Sequence, residues 1–119
     1  MKPTTILIAG SLAQRPGTGG HTWVFLQYLL GFKRLGYDVL FLDRLEPDMC
    51  RDDAGNPCPV ERSVNLRYLR QTMQRFGLGE SFALIYDHQQ FIGLDRRTVC
   101  ERASRAAFLL NVMGFLDDT

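Results

Sequence analysis

The most constraining stretch of this chain lies near its start. Thr5-Ile6-Leu7-Ile8-Ala9 is a short apolar run with β-branched residues, closed by Gly10. A run that is apolar at both alternating positions is the pattern of a strand buried on both faces, as in parallel sheets. A polar excursion over 11–16 follows, then Gly17-Thr18-Gly19-Gly20-His21-Thr22, then a helical pattern over about 22–35 that stops at Gly36. Glycine suits the position just past a helix end. Asp38-Val39-Leu40-Phe41-Leu42-Asp43 then predicts a second strand. Strand, turn, helix, glycine and strand in that order make a βαβ unit, whose right-handed crossover forces the two strands parallel.

The rest of the chain continues the alternation. The segment 44–59 predicts a long polar loop, carrying Glu46, Asp48, Asp52, Asp53 and three prolines, of the kind used as a binding lid or left as a disordered tip. A second helix is expected over about 61–76, with Leu66, Leu69, Met73 and Phe76 as its core stripe and Gly77-Leu78 as a glycine cap with a trailing apolar contact. Phe82–Tyr86 reads as a third strand, Asp95 as the cap of a short third helix, and 107–112 as a fourth strand. The expected fold is therefore α/β: one Rossmann-like three-layer domain over 1–119 with a parallel sheet of about four strands. The last strand is too apolar for a comfortable sheet edge, which predicts a fragment of a larger protein, or a sheet completed by a second polypeptide or copy.

Spacing also predicts which side of the first helix is buried. Val24, Phe25, Tyr28, Leu29, Phe32 and Leu35 form one broad apolar face expected against the sheet. Trp23, Leu26 and Leu30 form a second apolar group, for which a neighbouring helix is the simplest cover and a partner domain or subunit the alternative.

Composition excludes several classes. The formal net charge is +1, so no general field attracts nucleic acid or an anionic membrane. Arginines cluster over 62–75 and 96–105, which reads as solvated helix faces. Three cysteines, Cys50, Cys58 and Cys100, suit a reducing compartment better than a disulfide framework. No His/Cys spacing fits a zinc site, and the acids of the long loop do not match a calcium loop. With no signal-like or membrane-spanning run, the expectation is a cytoplasmic protein that needs no metal or cofactor.

The glycine turn is the candidate site. A helix N-terminus leaves amide groups unpaired and carries partial positive charge, so a flexible turn opening onto it can meet an anion. Gly17, Thr18, Gly19, Gly20 and Thr22 are the candidate phosphate or acceptor contacts, with His88 a further one from the polar cluster after the third strand. His21 is the residue of the turn able to exchange a proton near neutral pH. Asp43 and Asp87 end strands at the edge where open parallel sheets bind ligands, Asp43 being equally suited to a cap or loop contact. A nucleoside-triphosphate loop is excluded, because His21 replaces its lysine and Arg15 its first glycine. A dinucleotide fingerprint is matched in part: Gly17 and Gly19 fit, Thr22 stands where the third glycine belongs, and Asp43 would suit a ribose contact. The alternative function is accordingly a dinucleotide- or phosphate-binding module without catalytic activity of its own.

Gly17-Thr18-Gly19-Gly20-His21, an apolar helix, and Leu35-Gly36-Tyr37-Asp38-Val39 resemble the N-terminal half of GT-B fold glycosyltransferases. The resemblance covers about the first 43 residues, and the polar excursion before the turn departs from the compact family loop. It implies two Rossmann-like domains with the active site in the cleft between them: an N-terminal half for the acceptor and a C-terminal half, absent here, for the nucleotide sugar. On that basis the glycine turn lies near a diphosphate or acceptor phosphate, His21 is the general base, and Asp43 or Asp87 orients it. The chain alone would then transfer no sugar.

Overall fold

The computed structural model describes residues 4–14 and 19–111, of which 19–21 and 107–111 are described through their backbone alone. Five strands form one sheet: β1 (Thr5–Ala9), β2 (Asp38–Leu45), β3 (Phe82–Tyr86), β4 (Gln90–Gly93) and β5 (Ala106–Asn111), in the order β4-β3-β2-β1-β5. β1, β2, β3 and β5 are mutually parallel, and β4 runs antiparallel to β3. Three helices connect them: α1 (Gly19–Arg34), α2 (Val64–Arg75) and α3 (Arg96–Ser104). The expected α/β alternation is present, with one correction. Asp87-His88-Gln89 is not a free cluster at a strand end but the tight turn of a β3–β4 hairpin, so the sheet is mixed and carries one strand more than expected. Asp87 and His88 both adopt positive φ, 52° and 60°, and the Gln89 amide donates to the Tyr86 carbonyl at 3.1 Å, closing the turn.

Strand alternation sorts the core into two layers. Ile6, Ile8, Val39, Phe41, Leu45, Phe82 and Leu84 face α1 and α2. Leu7, Leu40, Leu42 and Ala83 face the other way, against Val99 of α3. Helices thus cover both faces, the arrangement a sheet of continuously apolar strands needs. Gly10 follows β1 because a Cβ there would sit 2.1 Å from a ring carbon of Phe25, the α1 residue packed above it.

The helix ends follow local chemistry. Gly36 and Gly77 take positive φ just beyond α1 and α2, and the next amides reach back, Tyr37 to the Phe32 carbonyl at 3.1 Å and Leu78 to that of Met73 at 2.7 Å. Ser63 and Asp95 cap α2 and α3 by accepting from the Leu66 and Thr98 amides. The second helix therefore begins at Val64, later than expected, because Val60–Arg62 is a separate 3-10 turn held by the Ser63 cap.

The buried stripe of α1 is rotated from its expected position. Phe25 and Leu29 are in the core as expected, but Leu26 joins them, while Tyr28 and Leu35 are 44% and 74% exposed. The cause is α2: it packs alongside α1, covers Leu26 and part of Leu30, and sets Phe76 6.3 Å from the Trp23 ring. The neighbouring helix thus covers Leu26 and part of Leu30, while Trp23 stays 49% exposed.

Candidate functional site

Both α1 and α2 begin at the C-terminal edge of the parallel strands, so the loops after β1 and β2 meet there. Asp43 is the centre of that meeting. Its position on β2 has the parity of Phe41 and Leu45, so it points toward α1 and α2, and it is wholly buried. One carboxylate oxygen accepts from the amides of Leu12 and Ala13, both at 2.8 Å, and the other from the Arg44 amide at 2.7 Å. Burial pushes the Asp43 carboxyl up to about 7, against the pull of those three donors toward the charged form.

Asn65 adds a second buried bridge. Its Nδ2 donates to the Ala13 carbonyl at 2.7 Å, and its Oδ1 accepts from the Arg51 amide at 3.1 Å. One side chain thereby joins the loop after β1 to the loop after β2. Gln14 extends the web, donating to the Arg44 carbonyl at 2.9 Å. The consequence is a loop fixed up to Gln14, at the entry to the glycine turn, by backbone contacts to two buried polar side chains. Sequence reasoning missed Asn65. The available signal was its place on the apolar stripe of α2, in line with Leu69 and Thr72.

The loop after β2 is neither a lid nor a loose tip. β2 continues to Leu45, a 3-10 turn spans Pro47–Met49, and Arg51 pairs with Pro57 in an isolated antiparallel bridge. Asp52 closes the tip by accepting from the Ala54 and Asn56 amides. Cys50 and Val60 are buried in the core.

The expected site residues separate into five groups. Gly17 and Thr18 lie outside the described residues. Gly19, Gly20 and His21 form the first residues of α1, at the edge where the site was expected; the imidazole of His21 lies outside the described side chains. Thr22 is buried and its hydroxyl is bonded to that of Tyr68 on α2, so it serves helix packing rather than the mouth of the turn. Asp43 holds the loop, and Asp87 and His88 form the exposed hairpin tip. His88 Nε2 lies 2.8 Å from Glu46 Oε1, and Glu46 is also 3.9 Å from Arg44 Nε. Glu46, the first residue past β2, is thus the link between the hairpin and the β2 loop, a role its sequence position did not reveal.

The arginine faces are solvated in part only. Arg67 pairs with Asp53 on the surface. Arg102 instead reaches from α3 to the opposite edge of the sheet, where it donates to Asp38 at 2.7 Å and to the Val39 carbonyl at 3.1 Å. Among the described residues no group of His, Cys, Asp and Glu is arranged to hold a metal ion, and no helix is long and apolar enough to cross a membrane.

No protein-family model, curated protein or solved structure matches the chain.

Proposed function

We propose that this chain is the acceptor-side domain of a GT-B glycosyltransferase, a Rossmann-like half that works with a donor-binding half to move a sugar from a nucleotide sugar to an acceptor hydroxyl. The observation that carries the reading is the anchored loop between β1 and α1. Its amides at Leu12 and Ala13 are tied to Asp43, and Gly19 and Gly20 are the first residues of the 16-residue helix that follows. A loop held at its base and leading to a helix N-terminus can place amide groups against a diphosphate with little ordering left to do. The order of the parallel strands, β3-β2-β1-β5, is also that of the first half of a doubly wound sheet.

In this mechanism the acceptor hydroxyl attacks the anomeric carbon, the bond from that carbon to the diphosphate oxygen breaks, and the amides of the turn offset the charge that develops on the leaving group. His21 takes the hydroxyl proton as general base. Asp43 acts as a positioning residue through the loop, because both its oxygens already accept from backbone amides. Gly17, Thr18, Gly19 and Gly20 form the cradle.

The test is nucleoside-diphosphate release and product formation, with a panel of nucleotide sugars and acceptors. The chain alone is expected to transfer no sugar; joined to a donor-binding domain it is expected to do so. In the joined enzyme His21→Ala should lower kcat by about 100-fold or more. Full activity in that variant removes the base assignment, and transfer by the chain alone removes the two-domain reading.

The dinucleotide alternative is disfavoured by one feature. A ribose contact at the end of β2 needs an exposed carboxylate, and that of Asp43 is buried. Calorimetric titration of NAD into the chain should show no binding; tight binding would restore the alternative.

A further inference from the structure

Cys50 and Cys58 face each other across the short antiparallel pairing in the loop after β2. Arg51 and Pro57 form the bridge at its centre. The Cys58 amide donates to the Cys50 carbonyl at 3.4 Å on one side, and the Asp52 amide to the Asn56 carbonyl at 2.9 Å on the other. That register sets Cys50 opposite Cys58. Opposed residues of an antiparallel pair put their side chains on one face, with Cα atoms about 4.5–5.5 Å apart. A disulfide spans about 4.4–6.8 Å between Cα atoms. Cys50 is wholly buried, and Cys58 is half-buried against the same apolar cluster. Both are free thiols.

We propose that Cys50 and Cys58 are a site of reversible oxidation by small-molecule disulfides, which closes a disulfide across the base of this loop. The more accessible thiol reacts first. Cys58, as thiolate, attacks one sulfur of the small disulfide; a Cys58 mixed disulfide forms and one small thiol leaves with the proton Cys58 gave up. Cys50 then loses its proton and attacks the Cys58 sulfur, expelling the second small thiol. The protein gives up two hydrogens and two electrons, and the small disulfide is reduced to two thiols.

Burial favours this order. It pushes the Cys50 thiol up and shields it from reagents in solution, but a mixed disulfide on Cys58 is already beside it. The sulfur of Cys50 would give up a 3.9 Å contact to the Glu46 carbonyl and its interactions with the Ser63 and Tyr86 hydroxyls. The bond would lock the residues flanking Arg51, whose amide is bridged through Asn65 to Ala13. Oxidation would therefore stiffen the web beneath the glycine turn.

The experiment uses the Cys100→Ser variant, which removes the exposed thiol on α3, incubated with oxidised glutathione. Remaining thiols are alkylated under denaturing conditions and the protein is mapped by mass spectrometry. The expected result is loss of two hydrogens, a linked pair of peptides containing Cys50 and Cys58, reversal by dithiothreitol, and a Tm higher by about 5 °C. Adding Cys50→Ser should trap one glutathione on Cys58, whereas adding Cys58→Ser should leave Cys50 unmodified. Two free thiols after oxidation, or a stable glutathione adduct on Cys58 with Cys50 still alkylated, would overturn the proposal. Both outcomes are read on the chain with its native Cys50 and Cys58 and do not depend on either serine variant folding.

Discussion

β2 carries an aspartate near each end, and the two are handled in opposite ways. Asp38, at the start, points toward α3 and is partly exposed; Thr5 donates to it at 3.1 Å and Arg102 at 2.7 Å. Asp43, at the end, points toward α1 and α2, is wholly buried, and is met by backbone amides alone among its assigned donors. Their odd spacing along the strand puts them on opposite faces. The cation at Asp38 ties one helix to the sheet. The amides at Asp43 shape a loop. A charge near water can be balanced by a mobile guanidinium, whereas a buried one needs donors fixed in place.

The sharpest way to break this comparison is Asp43→Ala. It leaves the Leu12, Ala13 and Arg44 amides without their acceptor, and each buried orphan costs about 1–3 kcal/mol. Urea unfolding should show a loss of about 4 kcal/mol, and amide exchange at Leu12 and Ala13 should accelerate more than in the centre of β1. A stability unchanged to within 1 kcal/mol would mean that the loop does not depend on this carboxyl.

Next in size is the pH dependence. The folded-state value of Asp43, about 7, lies above its ordinary 3.8. Between those values the folded chain holds a proton that the unfolded chain has released, so this group makes stability fall as pH rises from about 4 to about 7 and adds no further slope above that. The slope approaches about 1.4 kcal/mol per pH unit at most. Asp43→Asn should remove it. At pH 5 the variant should be less stable than the parent, because one amide then meets an NH2 group, and the gap should narrow as pH rises toward 7. Parallel stability curves for parent and variant would show that Asp43 does not titrate in this range.

Arg102→Met tests the other end of β2. It should cost about 1 kcal/mol, as expected of a partly exposed pair that holds a helix. The parent's advantage should shrink in about 0.5 M salt, where screening is short-ranged. Asp53→Asn is the smallest change. It breaks the surface pair with Arg67, whose two side chains are 77% and 48% exposed, and should leave the urea midpoint unchanged.

Legibility from sequence followed the range of the interaction. β1, β3, the glycine ends at Gly36 and Gly77 and the Asp95 cap were readable because each is set by neighbours a few residues away. The β3–β4 hairpin was not, because its turn is Asp87-His88, without the glycine that usually marks such a turn. At the site, sequence placed Asp43 on the right edge and left open whether it met a ligand or a loop. Burial, which depends on the packing of α1 and α2, decided for the loop. Glu46, Asn65 and Arg102 stayed invisible because their partners lie 42, 52 and 64 positions away.

Sequence by itself determined that this chain forms an alternating α/β domain, because periodicity and capping are local properties; it placed the start of the first helix at about residue 22, whereas the helix begins at Gly19. Tertiary structure alone decided what Asp43 does, which flank of α1 is buried, and that the loop after β2 is a packed strap. Each depends on which surfaces meet across the sheet. Desolvation and hydrogen-bond pairing are properties of that meeting and not of any one segment.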